Sequence, residues 1–171
     1  MSFVRTLRQA TAADHEMVDA HYGGFALDRQ ADYRSFLTAH ARALPAVERA
    51  LAEASDLPPW RSRTALLAAD LHALDAPIPA PLPFQPGAAA ERWGALYVIE
   101  GSRLGGQLLA RSVPAGLPSA YLAAHHLPGE WRRLLTTLDT HAAGQGQAWQ
   151  DAALAGARAC FALYARAAAI A

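Results

Sequence analysis

The chain of 171 residues contains no lysine: all fifteen of its cationic side chains are arginines. Schiff-base catalysis and a phosphate loop built around a Walker lysine are therefore excluded. There is one cysteine, Cys160, so no internal disulfide can form. An excess charge of either sign is also missing, since fifteen Lys+Arg balance fifteen Asp+Glu. The long-range attraction that draws basic proteins to nucleic acid or to anionic membrane is absent, and neither is expected as a partner. No apolar run approaches the roughly 20 residues needed to cross a bilayer. The first residues, MSFVRTLRQATAADHE, lack the apolar core of a signal peptide, and the reading is a soluble cytoplasmic protein.

What the chain does have is alanine, and apolar residues at three- and four-residue spacing that almost never alternate. That pattern predicts an all-α fold, and the length fits one domain over residues 1–171. A first helix is expected from Ser2, as N-cap, to His21, ended by Gly23-Gly24. A second is expected after Asp28, running to Leu51 with a bend at Pro45. A third should start on Pro58-Pro59-Trp60 and stop at Pro77. Residues 77–86, PIPAPLPFQP, hold five prolines and read as an extended connector packed along the bundle through Ile78, Leu82 and Phe84. A fourth helix is expected from Gly87 to Val113, interrupted by the glycines of GSRLGG at 101–106. After a turn at 118–126, helices over 129–141 and 147–169 complete the chain.

Two places could carry chemistry. His15 lies on the same stripe as Leu7, Thr11 and Val18, which is expected to face the core. A histidine on an apolar stripe is more often a hydrogen-bonded core residue than a ligand. Its neighbours point the other way: Asp19 at i+4 can accept a proton from one ring nitrogen and leave the other free for a metal. Arg8 lies two turns back, about 10 Å along the axis. The second place is Gly101-Ser102-Arg103-Leu104-Gly105-Gly106. Each interior glycine costs a helix about 1 kcal/mol relative to alanine, so three within six positions need a reason. A tight helix crossing, a kink, a helix end, or backbone lying flat against a ligand would each supply one, the crossing being the default.

LRQATAADHEMVD at 7–19 resembles the proximal-helix segment of the heme oxygenase family, with its Thr-x-x-x-His spacing at Thr11 and His15. WGALYVIEGSRLGGQLL at 93–109 resembles the family's distal-helix signature, and Glu130-Trp131-Arg132-Arg133-Leu134 followed by Ala159-Cys160-Phe161 is a weaker match. The resemblance, closest to bacterial biliverdin-producing members, spans nearly the whole chain in order. It implies a single-domain helical bundle holding heme between a proximal helix and a kinked distal helix. It implies His15 as the axial iron ligand, Asp19 as the group that orients it, and Arg8 and Arg132 as cations for the heme propionates. Gly101 and Gly105 match the distal glycines that approach the heme, and Gly101, Ser102 and Gly105 are the expected catalytic positions. Thr11, Val18, Tyr97, Gly106 and Phe161 complete the expected heme-binding set.

The implied reaction converts heme to biliverdin, carbon monoxide and iron with O2 and an external electron donor, such as a ferredoxin or a flavin reductase. A bilin-binding phytochrome is a candidate recipient of the product. Ser102 stands where many members have an aspartate that organises proton delivery, and Thr136 stands where some carry a second basic residue. These departures keep open an alternative, a heme-binding or heme-delivery protein that does not degrade heme. Elsewhere, His125-His126 reads as surface, His72 with Asp70 and Asp75 as a solvated helix face, Tyr164 and Arg166 as rim residues, and Cys160 as buried and inert. No Glu-x-x-His pair exists to build a carboxylate-bridged di-iron centre.

Overall fold

A computed structural model describes residues 2–171, which form eight α-helices and, among the described residues, no strand. These are α1 (Phe3–Ala10), α2 (Ala12–Tyr22), α3 (Gln30–Ala52), α4 (Thr64–Ala73), α5 (Ala89–Ala110), α6 (Ala120–Ala123), α7 (Glu130–Ala143) and α8 (Gln147–Ala169). At the centre α5 crosses α8 at backbone distance. A Cβ on Gly94 would collide with the carbonyl of Ala153, and one on Gly156 with the backbone of Glu91. The tight crossing therefore uses Gly94 and Gly156, not the GSRLGG segment. Around this pair α2 and α3 pack on α8, α4 packs on α3, and α1 rests on α7.

The expected single first helix is two helices, broken at Thr11. The Thr11 hydroxyl donates back to the Leu7 carbonyl at 2.8 Å, a bond that bends helices, and Arg158 of α8 donates to the Ala10 carbonyl at 3.0 Å. The Ser2 cap is as expected, its Oγ accepting from Arg5 N–H, and Asp139 of α7 ties the same end down by accepting from Ser2 Oγ at 2.7 Å and Val4 N–H at 2.8 Å.

The second expected helix is α3, which begins at Gln30 without a side-chain cap from Asp28 and keeps Pro45 inside it. The Arg42 carbonyl, one turn before Pro45, accepts from Leu82 N–H at 2.7 Å and so pins the proline-rich connector to α3. Leu82 and Phe84 pack against the core as expected, whereas Ile78 is 60% exposed. The third expected helix starts six residues late, at Thr64. Its start is set by a distant group: Glu48 of α3 accepts from Arg63 N–H, Thr64 N–H and the hydroxyls of Ser62 and Thr64. The fourth, α5, runs through the glycines without a break, and the 118–126 turn contains the short α6.

Candidate active site

The two segments singled out from the sequence lie on helices that share α8 as a floor: α2 and α5 each pack on α8 rather than on one another. His15 does not face the core. Its side chain is 61% exposed, with Nδ1 lying 3.2 Å from Asp19 Oδ2, which leaves Nε2 free to bind. Its ring and that of Phe161 on α8 form a T-shaped pair, centroids 5.8 Å apart at 86°. Thr11 and Phe161 are buried, Val18 is half-buried, and Arg8 and Arg132 are exposed. The Arg8 guanidinium lies near Tyr97 of α5: burial raises the Tyr97 phenol pKa and the charge of Arg8 opposes that rise. The structure thus brings Arg8 toward Tyr97 and His15 toward Asp19 and Phe161.

The three glycines of GSRLGG on α5 have different surroundings. A Cβ on Gly106 would meet the Leu122 carbonyl of α6 at 3.1 Å, so that glycine serves packing. One on Gly101 would lie 3.4 Å from the Trp131 indole. One on Gly105 would meet nothing within 4 Å. Gly105 is exposed, beside Leu104 at 43% and Leu108 at 64% exposure. This is an apolar helix face with an interior glycine that no protein contact requires.

Ser102 is exposed as a residue, but its hydroxyl is committed. It accepts from Arg63 Nη2 at 2.8 Å and donates to the Ile99 carbonyl at 2.6 Å. Behind α5 lies a buried polar web that sequence reasoning missed. Arg103 Nε donates to both oxygens of Glu100 at 3.0 Å, and Arg103 also reaches the Arg61 carbonyl. Burial lowers the Arg103 pKa.

His126, expected at the surface, is 93% buried by side chain, with Nε2 3.2 Å from Glu100 Oε2. Burial pushes its pKa down against the pull of Glu100. Asp70 is likewise buried, because its carboxylate accepts from Ala120 and Tyr121 N–H at the start of α6. Tyr164 is buried rather than at a rim, while Arg166 is exposed. Cys160 is buried as expected, its thiol pKa raised by burial.

A protein of Xanthomonas campestris pv. campestris (strain 8004) named heme oxygenase is 38% identical over 109 residues, covering 60% of this chain and 65% of that protein. A crystal structure of the NO- and CO-bound heme oxygenase from Neisseria meningitidis superposes with a TM-score of 0.83 at 24% identity, covering 98% of this chain and 90% of that one. The chain is similar in sequence to a protein named heme oxygenase and in fold to a heme oxygenase of known structure. It shares the fold of that Neisseria heme oxygenase over nearly its whole length. No family model matches it. The match to the Xanthomonas heme oxygenase spans slightly less than two thirds of that protein's length. No helix among the described residues is long and apolar enough to cross a membrane.

Proposed function

We propose that this chain binds heme between α2 and α5 and converts it to biliverdin, carbon monoxide and iron, using O2 and electrons from a ferredoxin or flavin reductase in the cytoplasm. The observation that carries the reading is Gly105, an interior helix glycine whose missing side chain opens on free space beside exposed Leu104 and Leu108. His15 supports it. Among the described residues no three His, Cys, Asp or Glu side chains cluster to hold a metal ion, so a metal on Nε2 takes its remaining ligands from outside the protein, as heme iron does from its porphyrin. The kinship with heme oxygenases supports the same substrate.

In this reading His15 Nε2 ligates the iron, and Asp19 accepts the Nδ1 proton and holds the ring in that tautomer. Arg8 and Arg132 meet the propionates. Thr11, Val18, Tyr97 and Phe161 line the cleft, with Gly106 keeping α5 close to α6. Gly105 lets backbone lie near the ring, Gly101 gives the Trp131 indole room beside α5, and water is excluded by Leu104 and Leu108. Heme supplies the iron at which O2 is reduced and the ring that is oxidised. Ser102, hydrogen-bonded to Arg63, belongs to the chain of groups that carries protons toward the cleft. A bilin-binding phytochrome is the recipient we assign to the product.

A specific observation favours a second reading, a heme-delivery protein: the Ser102 hydroxyl has both its proton and a lone pair engaged by Ile99 and Arg63. One experiment separates the two, an aerobic absorption time course of the hemin-loaded protein with a reductant and catalase. Loss of the Soret band with growth of a red bilin band is expected. A stable ferrous or oxygenated spectrum would establish the carrier instead, and no Soret band at all would end both readings. His15→Ala should abolish the axial bond, and ligation spectra unchanged in that variant would remove His15 from its role.

A further inference from the structure

Trp131 is only partly buried, yet it is held from three sides. Its indole lies 3.4 Å from the point where a Cβ on Gly101 would stand. Tyr97 of α5 flanks it at 5.9 Å and 30°, and His126 stacks on it at 5.5 Å and 25°. His126 is anchored in turn by Glu100, whose carboxylate also holds Arg103, and the three side chains are between 2% and 7% exposed. A buried ion pair adds little net stability over an apolar replacement, and its best-attested use is to fix one arrangement against its alternatives. Here the arrangement fixed is the stack. With Nε2 directed at Glu100 and Nδ1 buried without a partner, the His126 ring cannot turn over without losing its carboxylate contact.

This ring stack ends the glycine face. Tyr97, Gly101, Leu104, Gly105 and Leu108 follow one stripe of α5 at helical spacing. At Gly101 the stripe meets an indole, and at Gly105 it meets open space. The two positions are four residues apart, about 6 Å along the axis.

We propose that Trp131 is a specificity-determining residue, the end wall that stops a flat tetrapyrrole from sliding along α5 past Gly105 toward α7. The inference rests on the heme reading. A wall at this place fixes the in-plane position of the ring, and with it which edge of the ring lies beneath Gly105 and which bilin isomer forms. His126 is a positioning residue, acting through Trp131.

The test titrates apo protein with hemin and with a bulkier anionic iron porphyrin, iron tetrakis(4-sulfonatophenyl)porphyrin, reading the Soret band, and then analyses the bilin isomers formed from hemin. Wild type should favour hemin. Trp131→Ala should lower that preference about tenfold and change the isomer ratio, whereas Trp131→Phe should keep both close to wild type. His126→Ala should shift both in the direction of Trp131→Ala by less, because the wall remains but loses its backing. If Trp131→Ala fails to fold by circular dichroism, Trp131→Leu takes its place. A wild type that binds no hemin would overturn the heme reading and this inference together. Hemin binding with the porphyrin preference and isomer ratio unmoved in a folded Trp131 variant would overturn the wall alone.

Discussion

At the scale of single residues, Gly105 separates the demands of folding from those of binding. Its missing side chain has free space around it, so nothing in the fold resists an alanine there. Gly105→Ala should stabilise the apo protein by about 0.5–1 kcal/mol, because the glycine carries an entropic cost in the helix interior. That gain should raise Tm by roughly 1–4 °C in thermal unfolding without hemin. The same methyl would stand where the proposed ligand lies, so hemin affinity and turnover should fall. Gly106→Ala should behave in the opposite manner, losing stability because the Leu122 carbonyl stands 3.1 Å from the new carbon. A lower apo Tm in Gly105→Ala would mean that this glycine serves the fold and would remove the main support for the cleft.

At the scale of helices, the crossing of α5 on α8 determines how far apart the two walls of the cleft stand. Gly94 and Gly156 face backbone atoms, which cannot rotate aside as a flexible side chain can. Gly94→Ala and Gly156→Ala should each cost about 1–3 kcal/mol by overpacking, measured as a lower urea midpoint. A neutral result in both would show that the helices are free to separate. A tight crossing is one of the devices that the glycines of 101–106 offer, but spacing alone does not reveal which glycine meets another helix: Gly94 and Gly156 make the crossing of α5 on α8, and Gly106 meets α6. His15 with Asp19 and the length and order of α3, α5, α7 and α8 were legible, since they depend on neighbours within two turns. The break at Thr11, the start of α4 at Thr64 and the burial of Asp70 and His126 were not. Each depends on a partner far along the chain: Arg158 for the first, Glu48 for the second, the α6 backbone and Glu100 for the last two.

At the scale of the whole molecule, His40 reports on packing among four helices at once. Its ring on α3 lies 4.6 Å from Tyr22 of α2, 5.3 Å from Tyr121 of α6 and 5.8 Å from Tyr164 of α8, with Phe36 at 4.3 Å on its own helix. Burial pushes its pKa from 6.5 down to about 4; the hydrogen bond to the Phe36 carbonyl opposes this, and the charge of Arg63 adds to it. The three tyrosines stay neutral, Tyr121 being raised to about 12 and the other two further by burial. Above pH 6.5 His40 is neutral folded and unfolded, and the fold keeps its full stability. Between 6.5 and 4 the unfolded chain takes a proton that the folded chain refuses, so stability falls as pH falls, by roughly 3 kcal/mol in all. The lowered His126 acts in the same direction, and Asp70, raised by burial, acts in the opposite one at the acid end. Comparison with a variant therefore isolates His40. His40→Phe keeps an aromatic ring in the cage and removes the titrating group, so its urea midpoint should change less between pH 7 and pH 4.5 than that of wild type. Parallel losses in the two proteins over that window would show that the acid sensitivity of this bundle originates elsewhere than at the junction of its four helices.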